Sequence, residues 1–503
     1  MTKTFIGIDS VGEPCVKITK GDIDPFSEPD ANRSSFLVNS KFTNDVKIAG
    51  IDSTPFSPNS TTYWPAGTSN TNYHKKKMPG SVAGFSYIMI RNAYFGDALP
   101  YDLPVYDLKY QRVSDDRYVE NFRVFTQGAE DPGGREPGYR TMIGWMNNGW
   151  WLNDTQTFYG SPPLGKGIRY YTNTFGALDG GSYEIKLVVW RLPATNVPLL
   201  DSDPMPSVPG LRAVEITDEF CRVAKPGYDT RTATPTQLAF DSSGRPLSVI
   251  KAGDIALPSG LTEIEVGYPV DSTTICDMLQ YENGVISYPV SGYFTDTRCE
   301  YWFSGTKLYI NNLSGPCRVR YLVLSNDQLP PTSGNNKVFH QFHDGVQDVV
   351  QFLRPGAADP PNFADIVLDS RWPAIQILAE GYQPIAAQSQ RTPPAVNTGQ
   401  SFTVGFNGAG FFPFVKYMTV MSDADAGVGV KAPSARLVES YDNSTRYNAG
   451  NSSFCILGSN QATFWTYEGN PYQERYTNNA WAFDYSTSRI VGIRYYILGI
   501  PTS

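Results

Sequence analysis

The chain has 503 residues, of which 41% are hydrophobic, 13% aromatic and only 18% charged. So many aromatics with so little charge exclude an intrinsically disordered chain and argue against a coiled coil or helical bundle. A formal net charge of −8 leaves no electrostatic footprint for nucleic acid, and no apolar run of about 18 residues is present to cross a bilayer as a helix.

Plentiful Tyr, Phe, Gly and Pro fit short strands joined by turns, and the length is that of about three domains. Residues 1–15 lack a charged segment followed by an apolar one, so no secretory leader is expected and the chain is expected to fold in a cytosol. Cys15, Cys221, Cys276, Cys299, Cys317 and Cys455 are then expected to be buried, reduced thiols. Pairing among Cys276, Cys299 and Cys317 stays open for a protein that later meets an oxidising medium. No CxxC pair occurs, so no zinc site is expected.

In chain order, the first element is a basic turn, Lys20-Gly21, followed by Phe36-Leu37-Val38-Asn39-Ser40 and a strand closed by Gly50. The order returns as Lys225-Pro226-Gly227, residues 238–242 and a strand closed by Gly253. It returns again as Arg354-Pro355-Gly356, residues 366–370 and a strand closed by Gly381. Ser40 to Gly50, Ser242 to Gly253 and Ser370 to Gly381 span 10, 11 and 11 residues. A tight Asx-type turn after each apolar triplet predicts a chain reversal, with the next apolar run pairing back as a hairpin. Gly21, Gly227, Gly356, Ser40, Ser242 and Ser370 are thus the predicted turn residues of an internal repeat. Cys15 and Cys221 each precede the basic turn.

A middle element follows: residues 82–90 in the first unit, 263–269 and 274–279 in the second, 402–406 and 414–420 in the third. Each combines a strand, a Gly-aromatic break and an alternating strand. Residues 184–191, 317–324 and 492–498 are β-branched and aromatic, and read as the final strand of each unit. The predicted class is all-β: three consecutive β-sandwich (jelly-roll-like) domains, 1–200, 201–330 and 331–503, with Pro/Gly-rich linkers at 194–210 and 325–337. Short helices are predicted only at 211–223 and 346–353. The first unit is expanded, since Gly21 to Gly227 is 206 residues but Gly227 to Gly356 only 129. Its excess lies in a Tyr/Trp-rich insertion over roughly 100–180.

Chemistry-bearing patterns are few. His340-x-x-His343 would share one face of a helix, but no third ligand accompanies the pair, so a structural role is expected. Asp423-x-Asp425-x-Gly427 lacks the remaining ligands of a calcium loop and reads as a turn. Lys75-Lys76-Lys77 reads as a solvated loop. No Walker loop, Gly-x-Ser-x-Gly elbow or His-Glu-x-x-His occurs. No catalytic residue, cofactor or metal is expected, and the chain is not read as an enzyme. Trp145, Trp150, Trp151, Tyr170 and Tyr171 form the candidate contact surface. Flat aromatics among amides suit a sugar or a protein partner, and equally the core of an enlarged domain.

Three motifs together resemble virion proteins of tailed bacteriophages. They are the turns Lys225-Pro226-Gly227 and Arg354-Pro355-Gly356, the middle Val266-Gly267-Tyr268-Pro269, and the final strand Arg494-Tyr495-Tyr496-Ile497-Leu498. The opening Phe5-Ile6-Gly7-Ile8-Asp9 is similar to the start of such proteins. The first copy departs from the pattern, with no Pro beside Gly21 and no Tyr-Pro in its middle. The resemblance implies a β-sandwich module of a tail fibre, tail tip, collar or capsid decoration, made and assembled in the host cytoplasm. It implies a symmetric oligomer that binds copies of itself and other virion proteins, without nucleic acid or membrane insertion. A receptor-binding protein for a host-surface glycan and a polysaccharide depolymerase are the alternatives.

Overall fold

The computed structural model describes residues 2–42, 47–54, 105–112, 115–120, 183–192 and, with short breaks, 208–325, 338–386 and 399–502; between 73 and 153 it otherwise describes only separate strands. The chain is all-β and β-sandwich-like, built from antiparallel sheets. Among the described residues helical geometry is limited to 3-10 turns, at Arg33–Ser35 and at the single residues Gln237 and Asp365. The helices expected at 211–223 and 346–353 are strands instead. In Asp348–Leu353 every residue after the first is buried, so the run serves a middle strand covered on both faces, not one stripe of a helix. Lys75-Lys76-Lys77, expected in a loop, lies in strand Tyr73–Lys77, paired with Phe85–Ile90.

Each repeat opens with a three-stranded sheet. The strands are Lys3–Ile8, Pro14–Thr19 and Phe36–Asn39 in the first; Val214–Ile216, Cys221–Ala224 and Leu238–Asp241 in the second; and Phe339–His343, Asp348–Leu353 and Ile366–Asp369 in the third. Their registers coincide. In every copy the third strand carries one extra residue against the middle strand, Leu37, Ala239 and Val367 in turn.

The predicted turn serines occupy one equivalent place. The N–H groups of Val16, Cys221 and Val350 donate to the hydroxyls of Ser40, Ser242 and Ser370 at 3.0, 2.6 and 3.0 Å. Each serine N–H donates back to the carbonyl of that same residue, at 3.0, 2.9 and 2.9 Å. Val16, not Cys15, is therefore the counterpart of Cys221. The Asx turn is present at Asn39 and Asp369, whose side-chain oxygens accept from Lys41 N–H and Arg371 N–H at 3.1 and 2.9 Å. The strand beyond the turn does not pair back as a hairpin. The serine ties the turn to the middle strand, and the chain leaves for a second, larger sheet.

The glycines are equivalent in two copies only. Gly227 and Gly356 have φ of +84° and +83° after a Pro, and Tyr228 and Ala357 N–H close the turn onto Lys225 and Arg354 carbonyls at 3.1 Å each. That is a type II turn, with Pro second and Gly third. In the first copy Gly21 stands second, where Pro stands in the others.

In each larger sheet the last strand of the repeat lies in the middle. Tyr183–Arg191 sits between Lys47–Thr54 and Val105–Arg112; Cys317–Ser325 between Ser248–Leu257 and Thr274–Tyr281; Arg489–Pro501 between Gln376–Pro384 and Phe411–Asp423. A bulge recurs here too, at Ala49, Ile250 and Leu378. It aligns the copies residue by residue and corrects two expectations. The first copy's counterpart of 274–279 and 414–420 lies in Val105–Arg112, not in 82–90. The counterpart of Gly253 and Gly381 is Asp52, not Gly50. Gly253 and Gly381 lie opposite Tyr321 and Tyr495, whose hydroxyl oxygens come within 2.6 and 2.5 Å of where a Cβ would stand.

The repeats are interleaved. Gly260–Glu265, Lys307–Asn312 and Cys299–Ser304 form an outer sheet of the second copy, which Tyr118–Glu120 of the first extends. Gln400–Gly405, Gln461–Tyr467 and Ser452–Leu457 form its equivalent in the third, which Ile286–Tyr288 of the second extends. Gly427–Lys431 of the third meets Phe85–Ile90 of the first at the pair Val430 and Ile90. The exchange therefore runs first to second, second to third, and third to first. The cores follow suit: Val16, Cys221, Val223, Val350 and Phe352, from all three opening sheets, pack in one cluster. Each such side chain contributes about 1.5–3 kcal/mol by leaving water. All six cysteines are buried thiols.

Candidate functional site

The copies meet at a charged centre. Asp107 pairs across its sheet with Val188, Asp277 with Leu322 and Lys416 with Tyr496. The bulge register makes these three places equivalent. Their side chains converge: Lys416 Nζ lies 2.5 Å from Asp107 Oδ2 and 2.5 Å from Asp277 Oδ2. Lys109, two residues after Asp107 on the same face, completes the set. Its Nζ is 2.7 Å from Asp277 Oδ1 and donates to the Cys276 carbonyl at 3.1 Å.

Each carboxylate has a distinct environment. Asp107 accepts from Trp190 Nε1–H at 2.6 Å and from the Tyr288 hydroxyl at 3.3 Å. Burial pushes the Asp277 carboxyl up, but the ammonium groups of Lys109 and Lys416 outweigh it and hold that carboxyl well below the usual carboxylate range. Lys416 also lies over the Trp190 ring at 4.4 Å. A cavity of about 30 Å³ adjoins the four charges and is lined also by Arg320, Leu322, Phe412 and Phe414. That is room for a water molecule or two.

A second buried network pins the first opening sheet. Lys41 Nζ lies 2.7 Å from each of Asp9, Glu13 and Asp30, and Lys17 Nζ is 2.7 Å from Asp9 and 2.9 Å from Asp30. Burial raises the Asp9 carboxyl, but its bonds from Lys17 and Lys41 hold it far below the usual range. The same burial, reinforced by the charge of Asp9, pushes the Cys15 thiol up to about 12. Lysine ammonium groups already fill the positions between these carboxylates.

The candidate contact residues Trp145, Trp150, Trp151, Tyr170 and Tyr171 lie outside the described residues. Ser40, Ser242 and Ser370 hold their turns to the middle strands, and Gly227 and Gly356 take the third place of the type II turns. His340 and His343 sit on strand Phe339–His343, where residues three apart point to opposite faces. His340 Nδ1 is 3.2 Å from Gln351, and His343 Nδ1 accepts from Gly345 N–H at 3.0 Å. Asp423 and Gly427 face each other across a hairpin, and residues 424–426 lie outside the described residues. No cluster of three potential metal ligands occurs among the described residues, and no helix among them is long and apolar enough to cross a membrane.

Sequence reasoning missed the charged centre, although a signal was present. Val-Tyr-Asp-Leu-Lys, Ile-Cys-Asp-Met-Leu and Phe-Val-Lys-Tyr-Met each place a charge in mid-strand between apolar residues. A lone charge inside such a run is costly unless paired, so each one signals a partner. Comparison with known proteins gives no match: no family model fits the chain, and no curated protein or solved structure is significantly similar to it.

Proposed function

We propose that the protein is a structural component of a tailed-phage particle, of the tail, fibre or collar apparatus, acting by assembly and by binding neighbouring virion proteins. The observation that carries this reading is the cyclic exchange of strands among the repeats. Backbone ladders and a shared core join the copies, so a force on one copy is passed to the others through hydrogen bonds acting together. A particle component needs that rigidity. The motif resemblance supports the same reading. In it, segments 1–200, 201–330 and 331–503 are three linked β-sandwich units, and Trp145, Trp150, Trp151, Tyr170 and Tyr171 supply the specialised contact of the first.

The test is location. Electron microscopy of purified particles with this chain labelled is expected to place the label on the tail, fibre or collar. A label on the capsid shell assigns a decoration role instead, and absence of the chain from particles overturns the proposal. Glycan binding that is lost in Trp150→Ala and Trp151→Ala would convert it into receptor recognition, and release of reducing ends from host capsule into depolymerisation.

A further inference from the structure

Four features of the charged centre are those of amide formation between side chains. Lys416 supplies a nitrogen nucleophile, 2.5 Å from an Asp107 oxygen and held there by strands of two different copies. Asp107 is the better electrophile of the two neighbouring carboxylates. Trp190 Nε1–H and the Tyr288 hydroxyl donate to its two oxygens, and neutral donors of this kind stabilise the oxyanion of a tetrahedral intermediate. Asp277 is the better-placed proton carrier. Its Oδ1 is fixed by Lys109, while its Oδ2 touches Lys416. The adjoining cavity of about 30 Å³ has room for a released water.

We propose that Lys416 and Asp107 join in an intramolecular isopeptide bond, with Asp277 as the proton carrier, so that the first and third repeats are covalently locked at the centre of the molecule. The Lys416 ammonium passes one proton through Asp277 to an Asp107 oxygen, leaving a free amine and a neutral carboxylic acid. The amine attacks Cγ of Asp107, forming the C–N bond and a tetrahedral oxyanion facing Trp190 and Tyr288. The nitrogen gives up a second proton, which Asp277 carries to the Asp107 hydroxyl as it departs. The C–O bond breaks, water leaves, and one N–H remains on the amide. An ammonium and a carboxylate thus become a neutral amide and water, Asp277 is regenerated, and no oxidant or co-reactant is needed. Fixed contact replaces a bimolecular encounter, the condition under which such condensations proceed. The inference stands whether or not the chain belongs to a particle.

Intact mass spectrometry of the denatured full-length chain is expected to read one water below the sequence mass. Proteolysis is expected to yield a branched peptide joining 105–112 to 411–423. Lys416→Arg, and the isosteric Asp277→Asn with wild-type circular dichroism, are expected at full sequence mass. A wild-type chain at full sequence mass overturns the proposal. So does a water loss that maps elsewhere, for instance to the Lys41 network. A branched peptide that persists in folded Asp277→Asn overturns the role of Asp277.

Discussion

Asp277 and Lys416 occupy equivalent places in successive repeats, carry opposite charges and meet at 2.5 Å. Three identical charges at that place would repel. Three linked copies that differ in sequence can put Asp, Asp and Lys there, with Lys109 as the fourth charge, and reach neutrality. The centre therefore requires that the copies be unequal, and it specifies which copy sits beside which.

Lys416→Met tests that requirement. It removes the Asp107 link and leaves Asp107 and Asp277 buried without the Lys416 nitrogen, and breaking a buried pair from one side already costs about 3–5 kcal/mol. The urea unfolding midpoint is expected to fall accordingly. Lys307→Met, which removes an exposed partner of Glu263, is expected to leave it nearly unchanged.

The serine clamps make a second prediction. Ser370→Ala removes the acceptor of the buried Val350 N–H, at a cost of about 1–3 kcal/mol. Ser40→Ala and Ser242→Ala are expected to cost similar amounts, since the same two bonds recur. Three unequal losses in chemical denaturation would show that the clamps are not equivalent in energy.

Gly381→Ala is expected to destabilise by about 1–3 kcal/mol, because its Cβ would fall 2.5 Å from the Tyr495 hydroxyl oxygen. Trimming the ring with Tyr495→Leu in the same chain is expected to recover part of the loss. Gly315→Ala, with nothing within 4 Å, is the neutral control. Thermal midpoints of the four chains decide the matter.

Acid sensitivity is expected from Asp9 and Asp277, both held below their ordinary range. A depressed carboxyl adds stability that is fully present above its unfolded pKa, about 3.9, and is lost as pH falls through the folded value. Unfolding midpoints should therefore hold above about pH 5 and drop below about pH 4. Asp9→Asn is expected to start lower and to fall less steeply. Lys41, raised by its three carboxylates after burial lowers it, adds the converse loss only at strongly alkaline pH.

Nicking separates connectivity from assembly. Limited proteolysis is expected to cut within 194–210 and 325–337. The fragments are expected to co-elute in native size exclusion, because exchanged strands and a shared core hold them; in denaturant the middle fragment is expected to separate, while the first and third stay joined through Asp107 and Lys416. Fragments that part under native conditions would contradict the interleaving.

The repeat was legible from Ser40, Ser242 and Ser370, because a hydroxyl that must meet one particular backbone N–H tolerates little drift in spacing. The final strands were legible from their β-branched and aromatic runs. The helix at 346–353 was misread because a middle strand buried on both faces imitates helical spacing over so short a run, and that at 211–223 because an edge strand and the start of the next one lie within a single helix-length window. The first copy's middle strand was misplaced at 82–90 because the expanded unit moves Val105–Arg112 along the chain while leaving little identity to follow.

Composition and local pattern settle what is local: an all-β chain, turns built on Pro-Gly and on Asn or Asp followed by Ser, and buried thiols. They act through residues near one another in sequence, so a short window holds the whole cause. The charged centre is different. Asp107, Asp277 and Lys416 are each a poor choice for the strand that carries them, and only the others make them tolerable. That compensation spans three repeats and exists only once exchanged strands have brought the three positions together.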